Sequence, residues 1–532
     1  MVQSYKQKHQ AADHYDTILI GSGMGCLAAG ACLAKEGQKV LLLERHYTAG
    51  GYTHVFKRRG YEWDVGIHYI GEVNREKGVL KKLFDYVTDG ELKWADMGEV
   101  YDRIVIGDKT YDFKKGVENY KNELKRHFPE EAKAIDDYED LVFQVSKDSR
   151  SYFAQKAMPK VMQSLMGGKM RKPYLKYATR STLSVMKELT DNEELIKVLT
   201  GQYGDYGLPP GRSSFVMQAS ISKHYFHGGC FPIGGSSRIV ETVDPIIEAA
   251  GGTILTNAEV KQVLVSGGKA TGVELKGGKQ FTADRVVSGT GIVNTYTKLL
   301  SKDLVAKHHF DKQLQKVTPS AAHVCLYIGL NGSPEELKLP KANYWVYPED
   351  LDHDAAVARY EKDLNAPFPV VYISFPAAKD PSWPERYPGK STIDIITVMP
   401  FDIFQEWEGT RWKKRGEDYE ELKEKFAQRL LTELYRLEPQ LEGKVDCYEL
   451  SSPITTRHFM NYDRGELYGI DHDPSRYEQK FLQPRTPIKN FYLTGQDVVT
   501  AGVAGALFAG FLTASAITGK NQVEQAMKQP MA

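Results

Sequence analysis

Two short apolar runs, residues 17–20 and 39–43, flank a stretch rich in Ala, Leu, Cys and Gly that has one apolar face and closes at Glu36-Gly37. The second run ends on Glu44. Strand, glycine turn, small-residue helix, strand and acid follow one another over about 30 residues, the length of a βαβ unit. Residues 80–224 then read as mostly helical by periodicity and charge pairing, as in "GVENYKNELKRHFPEEAKAIDDYEDLVFQVSKD". From residue 225 the texture changes. "HGGCFPIGGSSRIVETVDPIIEAAGG" reads as a glycine loop and a helix, and short strands joined by Gly-Gly and Gly-Lys turns follow to about 290. More strands come from "AAHVCLYIGL", "FPVVYISF" and "STIDIITVMP", a charged amphipathic helix from 411–440, and a buried strand plus small-residue helix from the tail. The aromatic segments "NYWVYPED" and "PFDIFQEW" read as sheet core more readily than as channel lining.

The unit that opens the chain and the glycine-rich helix that closes it imply one discontinuous α/β domain, from 1–79, 225–300 and 476–532. An inserted α+β part then comprises a helical region, 80–224, and a sheet-forming region, 301–475. At 532 residues the chain is too long for a single core and suits roughly two to four domains. Lys plus Arg and Asp plus Glu both number 69, so no global field favours nucleic acid. The five cysteines are scattered, with no C-x-x-C, which argues for a reducing compartment and against disulfides or structural zinc. "MVQSYKQKHQAADH" has no apolar core, so no secretory signal is expected and the location is read as cytoplasmic.

The first motif carries the chemistry. Gly21 turns the chain sharply off the strand, and Gly23, lacking a Cβ, lets a pyrophosphate approach the helix N-terminus. Glu44, 23 residues after Gly21, stands where a carboxylate accepts both hydroxyls of an adenosine ribose. In G-x-G-x-x-G the third position falls on Cys26, with Gly25 one place early; Cys is small enough to substitute there. FAD and NAD both suit this motif. The tail "NFYLTGQDVVTAGVAGALFAG" favours FAD: Asp497 ends a strand where it can bond ribityl hydroxyls, and the helix behind it can face the flavin pyrimidine edge. Residues 498–517 are uncharged over a bilayer's length, but rich in Gly and Ala and preceded by a turn. They read as a buried helix against the flavin.

At this point the chain resembles the retinol saturase branch of the phytoene desaturase and carotenoid isomerase flavoproteins. The residues that carry the likeness are "IGSGMGCLAAGACLAKEGQKVLLLERH", "AGGYTHVF", "DVGIHYIGE", "HYFHGGCFPIGGSSRI", "GTGIVNTYTKLL" and "PIKNFYLTGQDVVTAGVAGALFAG". They run from 17 to 510 in family order. Cys26 departs from the family pattern, and so does the lack of an N-terminal leader, which weakens transfer of retinol itself as substrate. The resemblance implies a glutathione-reductase-like Rossmann domain, non-covalent FAD, and hydride chemistry on a conjugated polyene lipid. Gly21, Gly23, Gly25, Glu44, Arg45, Gly50, Gly51, Asp497 and Gly505 fall at FAD-contact positions, and Val260 on the strand that meets the adenine. Ser22, Gly495 and Ala506, beside them in the same motifs, complete the expected set.

Saturating a double bond needs a hydride on one carbon and a proton on the next, hence a general acid. His68 and Tyr69 in "DVGIHYIGE" follow the Gly50-Gly51 loop and are the first candidates; His224, Tyr225 and His227 in "KHYFHGG" are the second, with Tyr206 and Tyr468 behind them. A satisfied core histidine is the competing reading for each. No second dinucleotide motif appears, so NAD(P)H must visit the flavin directly or another reductant replaces it. Residues 151–187 hold Lys156, Lys160, Lys169, Arg171, Lys172, Lys176, Arg180 and Lys187 without one acid, interleaved with Met158, Val161, Met162, Leu165 and Met166. That pattern suits peripheral docking on anionic lipid, the competing reading being a solvated basic face. Carotenoid isomerisation or desaturation, and a lipid-binding escort role, remain alternative functions at this level.

Overall fold

The computed structural model describes residues 2–7, 11–350 and 352–529. An eight-stranded sheet forms around the first motif. Its order runs Gln3–Ser4, Thr253–Thr256, Val40–Leu43, His14–Ile20, Gln280–Ser288, and then the antiparallel pair Lys269–Leu275 and Val260–Ser266. Phe491–Leu493 pairs parallel with the end of Gln280–Ser288. The central strands are parallel and buried on both faces, which is why "VLLL" at 40–43 shows no alternation. The helix Met24–Lys35 covers one face and the tail helix Gly502–Thr518 packs on it. That contact is close: a Cβ on Gly510 would lie 2.5 Å from the Ala28 Cβ and 2.7 Å from the Gly25 carbonyl oxygen. Among the described residues no single helix is long and apolar enough to cross a membrane.

A second sheet of seven strands has the order Val445–Ser451, His323–Asn331, Lys390–Val398, Val371–Ser374, Asn343–Tyr347, Val100–Ile106 and Lys109–Lys114. Its last two members correct the helical reading of 80–224. "VYDRIVIGDKTYDFK" is a hairpin turned at Gly107, and its first strand pairs parallel with Asn343–Tyr347. Trp94–Asp96 is a further strand, antiparallel to Gly229–Pro232; the region from Val117 on is mostly helical as expected, with Ala132–Ala154 and Lys160–Ala178 the longest pieces. The amphipathic helix expected in 411–440 is Glu417–Leu437. "FDIFQEW" is a 3₁₀ helix rather than a strand, and it buries Phe401, Phe404 and Trp407 in the second sheet's core.

Residues 151–187 also depart from expectation. Met158 and Pro159 interrupt the helix, so the basic residues do not share one face. Lys156 and Arg171 are buried: Lys156 Nζ donates to the Val498 carbonyl at 2.7 Å, and Arg171 Nη2 to the Tyr477 carbonyl at 2.9 Å. Lys160, Lys169, Lys172 and Lys176 remain on the surface.

Candidate functional site

Four of the parallel strands end at one cavity of about 770 Å³. Gly21–Gly25, Glu44–His46, Gly289–Gly291 and Thr494–Asp497, which follow the strands ending at Ile20, Leu43, Ser288 and Leu493, form its walls. Ligands of open α/β sheets bind in this position, outside the carboxyl ends of the strands. Every expected cofactor residue except Gly505 lines it. Gly505 belongs instead to a second cavity, where a Cβ would lie 2.2 Å from the Thr500 carbonyl oxygen.

Local chemistry explains the shape. At Gly23 nothing lies within 4 Å of where a Cβ would stand, so the helix start is open to the cavity. Gly25 faces the other way, and a Cβ there would come within 2.7 Å of the Gly495 nitrogen. The helices Met24–Lys35 and Gly502–Thr518 both begin at the cavity with no acid in the first turn, leaving their N–H groups for an anion or a polar ring edge. Glu44 is fixed by three donors: Ser22 N at 3.0 Å and Ser22 Oγ at 2.7 Å on one oxygen, His46 N at 2.8 Å on the other. Ser22 Oγ in turn accepts from Gly50 N at 2.9 Å, tying the two glycine loops together. Asp497 accepts Ile292 N at 2.7 Å and Ile470 N at 3.2 Å, one on each oxygen, and an ionised carboxylate still has lone pairs to offer. Arg45 is turned to hold the carbonyls of His458 and Phe459 at 3.0 and 2.9 Å. Open glycine cradle, fixed ribose acid, two helix starts and a long cavity together fit FAD.

A second cavity of about 230 Å³ adjoins the first. His68, His323, Tyr468, Ile396, Leu467, Gly502 and Val503 line both, so these residues form the junction. His68 Nδ1 lies 3.4 Å from Asp394 Oδ2, and Asp394 is fully buried in the strand Lys390–Val398. Burial raises the Asp394 carboxyl above its usual range, and His68 opposes that rise. His68 Nε2 and His323 Nδ1 are buried without a partner among the described residues. Burial pushes His323 down to about 4, with His68 adding to the shift, so His323 is neutral at pH 7. Beneath them Lys379 Nζ donates to the His68 carbonyl at 2.8 Å, to Ser374 Oγ at 2.7 Å and to Asn343 Oδ1. Burial pushes Lys379 down to about 7 against the pull of Asp102, Asp394 and Asp64.

The other expected acids separate. Tyr69 lines only the second cavity; its ring stacks on Tyr225 at 4.1 Å, and its hydroxyl lies between Asp102 and Asp205. His224 also faces this cavity, accepts Gly71 N on Nε2 at 2.8 Å, and is pushed down to about 4 by burial. His227 lies outside both cavities, 3.9 Å from Glu72, because the helix Phe215–Tyr225 ends before it. Tyr206 is likewise outside, spending its hydroxyl on Gln218 at 2.8 Å. The sequence reading missed Asp394, Lys379, His323, Asp102 and Asp205. A lone acid within "STIDIITV" or between the glycines of "QYGDYG" was the available signal.

The family model for flavin containing amine oxidoreductases matches residues 25–518. The chain is 38% identical to the all-trans-retinol 13,14-reductase of Homo sapiens, over 96% of this chain and 87% of that protein. It is 25% identical to prolycopene isomerase 1 of an Oncidium hybrid cultivar, over 97% and 86% respectively. In fold it matches putrescine oxidase with putrescine bound at a TM-score of 0.61 and 16% identity, over 95% of this chain and 99% of that one. The resemblance read from the sequence is thereby borne out. The chain belongs to the flavin containing amine oxidoreductase family, as an FAD-dependent oxidoreductase of the branch that includes the all-trans-retinol 13,14-reductases.

Proposed function

We propose that the protein reduces a carbon–carbon double bond of a retinoid-like polyene lipid. The observation that carries this reading is the junction: a narrow cavity with apolar walls of Ile67, Ile70, Met217, Ile221, Val370 and Val398 meets the nucleotide cavity at His68. FAD held along Gly21–Gly25, Glu44 and Asp497 supplies a hydride carrier. The apolar walls bind the polyene and exclude water. His68, oriented by Asp394, donates the proton that the second carbon requires. NAD(P)H reaching the first cavity directly is the simplest external reductant, since the chain has one dinucleotide motif.

The substrate's insolubility calls for a route in. The helix Lys160–Ala178 exposes Val161, Leu165, Met162 and Met166, with Leu165 80% and Val161 72% accessible. Lys160, Lys169, Lys172 and Lys176 surround them, and the helix packs on Phe215–Tyr225, which walls the second cavity. We read this helix as the site of peripheral docking on anionic lipid.

Anaerobic incubation of the reduced holoprotein with a polyene panel, followed by mass spectrometry, tests the reaction. A gain of two hydrogens is expected. An unchanged mass with altered geometry supports the isomerase reading that the prolycopene isomerase relative raises, and a loss of two makes it a desaturase.

A further inference from the structure

The inner wall of the second cavity has a proton count that does not close with ionised acids alone. Tyr69 Oη is 2.9 Å from Asp102 Oδ2 and 3.0 Å from Asp205 Oδ2. A phenol has one hydrogen and serves one of them. Asp102 also accepts Asn343 Nδ2 at 2.8 Å and Gln202 Nε2 at 2.6 Å; burial raises it to about 7 against these donors, so it is the more readily ionised of the two acids and accepts the Tyr69 hydrogen bond. Asp205 must then carry its own proton and donate it to the Tyr69 oxygen. Burial, with the Asp102 charge beside it, moves the Asp205 carboxyl well above its usual range, in agreement with the count.

This arrangement leaves Asp205 Oδ1, a neutral carbonyl-type oxygen, with no donor among the described residues. Asp205 lines the cavity and keeps part of its surface open to it. Its backbone is fixed: Asp205 N donates to the Gln202 carbonyl at 3.0 Å, and the Gly204 carbonyl accepts Tyr468 Oη at 2.8 Å. Tyr372 lines the same cavity and is buried; Ser374 beside it lowers its pKa as a donor to the phenol oxygen does, while the phenol's own hydrogen finds no acceptor among the described residues. Burial and then the Asp102 charge raise the Tyr372 pKa, and Asp205 stands close enough that a charge on it would be felt there too. One unpaired acceptor and one unpaired donor in a cavity with apolar walls call for a ligand that supplies both partners.

Resting on the reading that a polyene occupies this cavity, we propose that Asp205 is its specificity-determining residue: Asp205 Oδ1 accepts a hydrogen bond from a hydroxyl at the end of the polyene, and Tyr372 Oη donates one back. An aldehyde end satisfies Tyr372 alone. A carboxylate end meets the Asp102 charge at short range. A hydrocarbon end leaves both groups desolvated and unpaired, the kind of loss that a site built for a hydroxyl turns into selectivity.

The test uses the FAD-loaded protein and four polyenes of one chain length ending in alcohol, aldehyde, carboxylate or hydrocarbon. Affinities are read from quenching of protein fluorescence, without turnover. The alcohol should bind tightest. Asp205→Leu should weaken the alcohol about 10- to 100-fold while the hydrocarbon binds no worse. Asp205→Asn should stay within about threefold of the parent, because its amide oxygen accepts the same hydrogen bond. In turnover the Asp205→Leu loss should fall on KM rather than kcat. FAD content and circular dichroism of both variants check the fold. Equal binding of alcohol and hydrocarbon by the parent, or an Asp205→Leu protein that keeps the preference, overturns the proposal while leaving polyene reduction standing. Failure to bind or reduce any of the four overturns the functional reading and this proposal together.

Discussion

Cys26 Sγ occupies the space that a side chain on Gly289 would need: a Cβ there would lie 2.3 Å from it. The position where the dinucleotide motif asks for a third glycine has gained a thiol, and the facing loop has the glycine instead. The thiol donates weakly to the Ile20 carbonyl at 3.6 Å, and burial raises its pKa, so it is an inert packing group. Gly289→Ala should therefore cost about 1–3 kcal/mol of stability through overpacking. In a Cys26→Gly background the same change should cost far less, giving a coupling of about 1 kcal/mol or more in a denaturant double-mutant cycle. Additive losses would mean that the two positions are packed independently.

Glu44 should matter to FAD and to the loop at once. Glu44→Ala removes the acceptor for three donors from Ser22 and His46 as well as the ribose acceptor. FAD affinity should fall by about 1–3 kcal/mol, roughly 5- to 150-fold in Kd, measured by titrating apoprotein with FAD. The parent should be yellow and release its FAD on heating. A Glu44→Ala protein with undiminished affinity would show that the ribose is held elsewhere.

Much of the nucleotide cavity was legible because its signals are local. Gly21, Gly23, Gly25 and Glu44 follow from one βαβ spacing, and Asp497 from one strand end. The hairpin at 100–114 was missed because its parallel partner, Asn343–Tyr347, is far along the chain. The polar floor of the second cavity was missed for the same reason. Asp102, Asp205, Asn343, Lys379 and Asp394 come from separate segments that only the second sheet brings together. Composition misled at Lys156 and Arg171, where a helix break turned two lysine-rich-segment cations inward to backbone carbonyls. His224 and His227 differ in fate because the helix ends between them.

Acid should loosen the head of the tail helix. His472 is fully buried, its Nε2 accepts Ala501 N at 2.8 Å, and burial lowers its pKa well below the usual 6.5. The unfolded chain then binds a proton that the folded chain refuses. Its contribution is intact above pH 6.5 and is lost as pH falls below that value, by about 1.4 kcal/mol per pH unit. His472→Gln, which can still accept the Ala501 N–H, should show a smaller drop in denaturation midpoint between pH 7 and pH 5. An identical drop in both proteins would assign the acid sensitivity to other groups.

Docking should depend on the outer face of the helix Lys160–Ala178 and on salt. Neutralising Lys160, Lys169 and Lys172 together should weaken binding to anionic vesicles by up to about 3 kcal/mol, at about 1 kcal/mol per basic residue. Val161→Ser with Leu165→Ser should weaken it further and at all salt concentrations, since apolar insertion is unscreened. Arg171→Gln should act differently, lowering stability instead, because its guanidinium holds the Tyr477 and Glu478 carbonyls. Flotation with liposomes reads all of these. Unchanged flotation in both surface variants would exclude this helix as the docking site, and a shift from dimer to monomer in them would assign it to self-association.

The last expectation concerns the proton at the junction. His68 is the titratable group that meets both cavities with an unpaired ring nitrogen and a carboxylate on the other side, at 3.4 Å from Asp394. His323 shares the junction but is held neutral by burial, which suits it to bonding rather than donation. His68→Ala should slow reduction of the substrate by pre-reduced enzyme by about 10²–10⁴, the usual worth of a general acid, with FAD content unchanged. Asp394→Asn keeps the ring's neighbour but removes its charge, so it should slow the same step less than His68→Ala does, with FAD content again unchanged. A single turnover in D₂O should place solvent deuterium on the carbon that takes the proton, and His68→Ala should slow this labelling in step with the reaction. If His68→Ala reduces substrate at the parent rate, the histidine only lines the junction and the proton comes by another path, the Tyr69–Asp205 pair being the nearest alternative.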